Sequence, residues 1–132
     1  MKYEFSNLLE IVSLLRSEHG CAWDKQQTHQ SLIPKMQEEM QETIEAIENK
    51  DYENLCEELG DMFLHILLHS QIAKENKKFS IEDVIQALSE KLIRRHPHVF
   101  GGQKVLNAQE AKALWNQMKK EEKREKSLTK RI

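Results

Sequence analysis

Six acidic side chains stand in two short groups whose spacing could bind a metal ion. The members of the two groups are Glu38, Glu39, Glu42, Glu57, Glu58 and Asp61. Residues three or four apart share one face of an α-helix, so each group would present a pair of carboxylates on the flank of its helix. Glu39 would pair with Glu42, and Glu58 with Asp61.

Four carboxylates meeting on neighbouring helices would repel one another and raise one another's pKa values unless a cation lay between them. A site made only of oxygen ligands favours a hard divalent cation, Mg²⁺ or Mn²⁺, over zinc or copper. The alternative is a solvated acidic surface, which is the ordinary outcome for a run of charges. Lys35 is the single basic side chain three or four residues from the first group, so an ordinary salt-bridged surface is short of partners.

Charge is unevenly distributed along the chain. Residues 37–61 hold ten acidic residues and one lysine, whereas residues 119–132 hold seven basic residues and three glutamates. The formal net charge is −2 over 132 residues. The sequence therefore lacks the overall basic character that neutralises a nucleic-acid backbone, and nucleic acid is not expected as a partner.

The sequence carries no signal for a membrane or for secretion. No apolar run approaches the roughly 20 residues that span a bilayer, and charged residues interrupt positions 2–18. Cys21 and Cys56 match no CxxC spacing. We expect a cytoplasmic protein with two free thiols and no membrane contact.

Hydrophobic periodicity predicts an all-α domain, a bundle of about five helices. Apolar residues recur three or four apart in five segments, and no useful length alternates with the strand period of two. The expected helices cover about 3–18, 34–50, 52–76, 80–95 and a last segment from 107. Residues 1–122 are assigned to one domain and 123–132 to a basic C-terminal tail. A short connection makes the acidic second and third helices antiparallel neighbours, which would bring the two acidic groups together.

The third helix is apolar on two opposite sides. One side has Leu55, Leu59, Met62, Phe63 and Ile66, and the other has Leu64, Leu68 and Ile72. A helix that is apolar on two sides must be covered twice. Because a domain of five helices has few with which to do so, we expect a second subunit to cover the Leu64, Leu68 and Ile72 side in a symmetric dimer.

The two acidic groups and three further stretches resemble the MazG-type nucleoside triphosphate pyrophosphohydrolases of the all-α superfamily. The stretches are residues 21–29 (CAWDKQQTH), 57–61 (EELGD) and 91–101 (KLIRRHPHVFG). One departure is Ala22, where the family usually has proline. The resemblance implies Mg²⁺-dependent hydrolysis of a nucleoside triphosphate to the monophosphate and pyrophosphate, in nucleotide pool sanitation or turnover. It also implies a homodimer or a dimer of dimers.

The resemblance assigns a role to ten residues. The metal ligands would be Glu39, Glu42, Glu58 and Asp61, holding Mg²⁺ with Mn²⁺ able to substitute. Glu38, or as a weaker candidate Glu57, would be catalytic by orienting or deprotonating the attacking water. The substrate-binding residues would be Lys91 and Arg95 at the phosphates, with Trp115 and Lys119 near the nucleotide.

Several alternatives stay open. Arg95 could instead interact with the negative end of its helix, and Trp115 could be a packing residue. His65 and His69 are four apart and could bind zinc, but no third ligand is apparent, so core or hydrogen-bonded histidines are expected. Trp23 is expected to anchor its loop. Alternative functions are a narrow pyrophosphohydrolase for dUTP or a phosphoribosyl nucleotide, and a non-enzymatic helical module whose acidic surface binds a basic partner.

Overall fold

The computed structural model describes residues 2–131, with side-chain surroundings given through residue 128. Every regular element in that range is a helix, which confirms the predicted all-α class. The helices are α1 (Phe5–Leu15), α2 (Ala22–Gln26), α3 (Ile33–Glu48), α4 (Tyr52–Glu75), α5 (Ile81–Arg95), α6 (Pro97–Phe100) and α7 (Ala108–Arg131). None of these helices combines the length and the hydropathy that crossing a membrane requires.

The described chain has two more helices than the sequence predicts. Both additional helices, α2 and α6, are only five and four residues long and lie in predicted loops. Segments that short carry no detectable helical periodicity, which is why the pattern missed them. Helix α7 continues through the basic residues to Arg131, while Ile132 of the expected tail lies outside the described residues.

The chain divides into two compact units between Ile81 and Glu82. The first unit contains α1 to α4, and the second contains nearly all of α5 together with α6 and α7. The domain boundary expected at residue 122 stays a prediction.

The connection between α3 and α4 is a tight turn. Pro34 lies in the first turn of α3, as predicted, where its fixed φ suits the helix. At the other end Lys50 adopts the left-handed conformation, with φ of 54°, and the amide of Asp51 donates to the carbonyl oxygen of Ala46 at 2.9 Å. Asp51 then caps α4, because its carboxylate accepts from the amide of Asn54 at 3.2 Å.

The core of the first unit lies between α1 and α4. Val12, Leu32, Leu67, Leu68 and Ile72 are buried together, and Leu8, Leu9 and Leu64 are among the side chains packed against them. Leu68 is 2% exposed. The expectation that a second subunit covers Leu64, Leu68 and Ile72 is therefore wrong, because α1 of the same chain covers that side.

Apolar side chains remain exposed on the side of the α3–α4 pair that α1 does not cover. They include Ile33, Met36, Met40, Ile44, Ile47, Leu59 and Ile66. Leu59 and Ile66 are therefore exposed, although Phe63, which the sequence places on the same side of the third helix, packs against the buried cluster. The predicted division of α4 into two apolar sides is thus only partly right.

Arg16 holds the segment that contains α2. Its Nη1 donates to the carbonyl oxygens of Asp24 at 2.5 Å and Gln27 at 3.0 Å. Its Nε pairs with Glu75 Oε2 at 2.9 Å, and this hydrogen bond lowers the pKa of Glu75. Trp23 is 48% exposed, and its ring lies 5.2 Å from the Lys35 ammonium on α3. Arg16 anchors this loop, and the expected anchoring by Trp23 stays a prediction.

Candidate active site

Two contacts show that α3 and α4 run antiparallel. Thr43 Oγ1 lies 3.2 Å from Met62 Sδ, and His69 Nε2 lies 2.9 Å from Met36 Sδ. The residue nearer the N-terminus of α3, Met36, contacts the residue nearer the C-terminus of α4, His69, so the two helices run in opposite directions. This arrangement is the predicted one, and it brings the two acidic groups to the same level of the pair.

Three carboxylates meet across this pair. Glu39 on α3 and Glu58 and Asp61 on α4 each offer an oxygen, and these oxygens lie within 4.8 Å of one another. One oxygen each of Glu39 and Glu58 is buried with no hydrogen-bond partner. Buried polar atoms without a partner are rare and need an explanation, and a cation between the carboxylates would supply one.

Burial and like charge raise the pKa values of these carboxyls. For Glu39 burial is the largest cause, and the charges of Asp61 and Glu42 add to it. For Glu58 burial again comes first, followed by its hydrogen bond with Glu39. A nearby positive charge would favour the ionised forms and oppose these shifts. The residues therefore fit a hard divalent cation, since every donor is a carboxylate oxygen.

Glu42 adjoins the cluster, whereas Glu38 and Glu57 lie outside the set of three. A hydrogen bond with Glu58 is the largest cause that raises the pKa of Glu42, and the charge of Glu38 contributes as well. Glu38 and Glu57 are both exposed. Of the four expected ligands, Glu39, Glu58 and Asp61 meet directly, and Glu42 interacts with Glu58. Glu38 and Glu57 are only neighbours of ligands in the sequence.

A pair of histidines lies further along α4. His69 Nδ1 is 2.7 Å from His29 Nδ1, and the two ring planes are 2° apart. His69 is therefore hydrogen-bonded, as expected, and among the described residues neither it nor His65 belongs to a group of three metal ligands. His65 is 7% exposed and its Nδ1 has no hydrogen-bond partner.

Glu122, an acidic residue that no sequence motif indicates, holds Arg95 in place in the second unit. Arg95 Nη2 lies 2.6 Å from Glu122 Oε2, and Arg94 Nε lies 2.5 Å from Glu122 Oε1. The Arg95 guanidinium also lies over the Trp115 ring, 4.8 Å from its centroid. The two arginines lower the pKa of Glu122 to about 2. No local spacing could have revealed this pair, because its members are 27 residues apart.

Arg95 and Trp115 are therefore in contact within the second unit. Lys91 is half-buried and Lys119 is exposed. Neither lysine forms a hydrogen bond or an ion pair with another residue within the described part of the chain. Their ammonium groups are available for an anion.

A family model for the MazG nucleotide pyrophosphohydrolase domain matches residues 27–100. The match covers more than half of the chain, and both acidic groups lie inside it. The chain belongs to the MazG nucleotide pyrophosphohydrolase domain family. Trp115 and Lys119 lie beyond the matched residues, so their roles rest on the resemblance alone.

Similar proteins of this MazG family come from several bacteria. The chain is 56% identical to the nucleoside triphosphate pyrophosphohydrolase/pyrophosphatase MazG of Thermotoga maritima over 97 residues, which are 74% of this chain and 38% of that protein. It is 40% identical to the nucleoside triphosphate pyrophosphohydrolase of Escherichia coli K12 over 125 residues, which are 94% of this chain and 48% of that protein. The chain thus spans less than half the length of these two relatives.

A solved structure of a MazG-related protein has the same fold as this chain. The crystal structure of a MazG-related protein from Thermotoga maritima superimposes with a TM-score of 0.72 and 33% sequence identity. The alignment covers 87% of this chain and 98% of that one. The predicted membership of the MazG type is confirmed.

Proposed function

We propose that this MazG domain hydrolyses nucleoside triphosphates to the nucleoside monophosphate and pyrophosphate, with Mg²⁺ as its cofactor. The observation that carries the proposal is the meeting of Glu39, Glu58 and Asp61 across α3 and α4, with two buried carboxylate oxygens left unpartnered. The names of the two relatives, both nucleoside triphosphate pyrophosphohydrolases, support it.

Glu39, Glu42, Glu58 and Asp61 would hold the Mg²⁺. A divalent cation bound there neutralises phosphate charge and makes water a better nucleophile at neutral pH. The protein contributes a fixed arrangement of carboxylates on two rigid helices, so little reorganisation is needed when the cation and the triphosphate arrive. Mn²⁺, which accepts the same oxygen ligands, would substitute.

Glu38 is the proposed group that orients the attacking water and accepts its proton, with Glu57 as the weaker candidate. Both side chains are exposed and stand next to a ligand in sequence. A carboxylate that stands beside the ligands could orient a water molecule and accept its proton.

Cationic side chains of the second unit would bind the phosphates. Lys91 is proposed to contact phosphate oxygens with an ammonium group that has no other partner among the described residues, and Lys119 is proposed to lie near the nucleotide. Arg95 would present a guanidinium that Glu122 already orients. Trp115, which lies under that guanidinium, is proposed to lie near the nucleotide.

The biological setting is part of the same proposal. We infer that the chain removes or turns over nucleoside triphosphates in the cytoplasm as a homodimer or a dimer of dimers. With Leu64, Leu68 and Ile72 covered by α1, any dimer that forms through α4 would use the exposed side that carries Leu59. Analytical ultracentrifugation tests the assembly.

Product identity tests the reaction. A panel of nucleoside triphosphates is incubated with the protein and Mg²⁺, and the products are separated by ion-exchange chromatography. Monophosphate and pyrophosphate in equal amounts are expected, while diphosphate and orthophosphate as main products would reject the proposal. Omission of Mg²⁺ with a chelator present is the control, and it should abolish turnover.

A further inference from the structure

A hydrogen bond between two histidines joins the connection before α3 to α4. His29 lies in that connection, residues 27–32, and its Nδ1 is 2.7 Å from Nδ1 of His69 on α4. The other ring nitrogen of His69, Nε2, lies 2.9 Å from Met36 Sδ on α3. The contact therefore ties three segments of the first unit together.

This contact lies at the open end of the α3–α4 pair. A tight turn at Lys50 joins the two helices at their other end. Met36 lies in the first turn of α3, and Glu39 of the carboxylate cluster follows about one turn later. Loosening of the open end would therefore act on a helix that carries part of the cluster.

The number of protons on the two rings decides whether this hydrogen bond can form. A neutral imidazole has one N–H and one acceptor nitrogen, whereas the charged ring has two N–H groups. With both rings neutral, His69 donates from Nε2 to the sulfur of Met36, which can only accept, and it accepts from His29. One added proton is tolerated, because a charged ring can donate to a neutral one. A second added proton places two N–H groups and two positive charges against each other.

The charged groups around the pair disfavour a second proton. Burial lowers the pKa of His69, and the charges of His29 and His65 lower it further. For His65, burial again lowers the pKa most, the charge of Lys35 on α3 adds to the effect, and that of Asp61 on α4 opposes it. The other residues of the connection carry no charge.

A second positive charge on the pair has no acidic partner within the described residues. Helix α1 contributes a further cation, Arg16, which is paired with Glu75 at the end of α4. Neither histidine forms an ion pair with a carboxylate in the described part of the chain. We propose that His29 and His69 form a pH-sensitive latch, which holds the connection on α4 while at most one ring is charged and releases it when both are protonated.

Amide hydrogen exchange measures the release directly. The amides of Leu32 and Ile33 donate to carbonyl oxygens within the connection, so they are protected only while the connection keeps its fold. With Mg²⁺ present, their protection factors should fall by about tenfold or more between pH 7.5 and 5, which is one decade in the opening equilibrium. The amide of Asn49, at the far end of α3, donates to Glu45, and its protection should change by less than about twofold.

His29→Gln separates the latch from other effects of pH. A glutamine amide offers both a donor and an acceptor, so it can bond to His69 in either protonation state. The protection factors in this variant should change by less than about twofold over the same range. His29→Ala, which cannot form the bond, should show low protection at both pH values. His19→Gln is the matched control, because it removes an exposed histidine outside the pair and should behave as wild type.

Nitrogen NMR of the histidine rings supplies the second test. In wild type the two rings should titrate in two steps that belong to the pair. In His29→Gln, His69 should titrate in a single step, at a higher pH than the second step of the pair. Independent single steps in wild type, or equal loss of Leu32 protection at pH 5 in wild type and His29→Gln, would overturn the latch.

Turnover gives a further readout, which rests on the proposed function. The ratio of pyrophosphate release at pH 5.5 to that at pH 7.5 should be lower in wild type than in His29→Gln. The carboxylates of the cluster titrate alike in both proteins, so the comparison isolates the histidine pair. If wild type releases no pyrophosphate at either pH, the proposed function fails, and hydrogen exchange still decides whether the latch exists.

Discussion

The acidic residues of the two units have opposite electrostatic surroundings. In the second unit, Glu122 pairs with two arginines and its pKa falls to about 2. In the first unit, Glu39 and Glu58 lie together with unpartnered oxygens and raised pKa values. A satisfied ion pair is stable by itself, whereas like charges raise one another's pKa values unless a proton or a cation lies between them. The comparison separates a preorganised ion pair from a candidate cation site.

The largest expected effect comes from removing one charge of the carboxylate cluster. Asp61→Asn should lower kcat by about 10²–10³-fold, the scale for losing a group that stabilises charge in a transition state. Helicity should not change, since Asp61 is exposed. Pyrophosphate release and circular dichroism measure the two properties.

Glu53→Gln is the matched control for Asp61→Asn. Glu53 lies in the first turn of the same helix and is exposed, so its loss should leave kcat unchanged. Wild-type kcat for Asp61→Asn at saturating Mg²⁺ would show that Asp61 is not a ligand.

Mg²⁺ should stabilise the folded chain through the same cluster. A ligand present at 100 times its Kd adds about 2.7 kcal/mol to the free energy of unfolding. Without Mg²⁺, the raised pKa values of Glu39, Glu42 and Glu58 mean that the folded state holds protons that the unfolded state has released. Stability should therefore fall as pH rises from about 4.5 through these raised pKa values.

Thermal unfolding between pH 4 and 8, with and without Mg²⁺, checks this prediction. Saturating Mg²⁺ should remove the decline, and Glu58→Gln should reduce both the decline and the stabilisation by Mg²⁺. If Mg²⁺ does not change the Tm at any pH, the result would be evidence against a cation site on these helices.

Removing the ion pairs of Glu122 with Arg94 and Arg95 should have a smaller effect, and on stability. Glu122→Gln should lower the free energy of unfolding by about 1 kcal/mol, the scale of a partly exposed ion pair. Because the folded pKa of Glu122 is depressed from 4.5 to about 2, the difference from wild type should be full above pH 4.5 and vanish as pH falls to 2. Urea unfolding at several pH values measures it, and a difference that persists unchanged at pH 2 would contradict the pairing.

The smallest effect concerns the histidines of α4. Burial is the largest cause that lowers the pKa values of His65 and His69 below 6.5. As pH falls below 6.5, the unfolded chain gains protons first, so stability should decrease. The slope of the unfolding free energy against pH is proportional to the number of protons taken up on unfolding. Between pH 6.5 and 5, His69→Phe should reduce that number by up to about one. An unchanged slope would mean that His69 titrates normally.

The sequence predicts the elements that local signals define. Pro34 marks the start of α3, and Asn107 marks the start of α7, where its side chain accepts from the amide of Glu110 at 2.9 Å. The helical period also puts Glu39, Glu58 and Asp61 on flanks that meet. These predictions depend on positions within one helix or on helices joined by a short turn.

What the sequence could not provide depends on contacts between distant segments. Leu68 lies among apolar residues on α4, and periodicity does not say whether α1 or another subunit covers it. Glu122 was missed because its partners on α5 are far away in sequence. The role of Arg16 could not be predicted either, because it holds the α2 segment through two backbone carbonyls, which carry no side-chain signal.

The exposed methionines on the apolar side of the α3–α4 pair make this chain sensitive to oxidants. Met40 is 55% exposed, and oxidation would convert its apolar thioether to a polar sulfoxide that methionine sulfoxide reductases can restore. The two cysteines are free, and neither belongs to the carboxylate cluster. Because Cys56 is exposed, peroxide can reach its thiol as well, whereas the reductases would reverse only the damage to methionine.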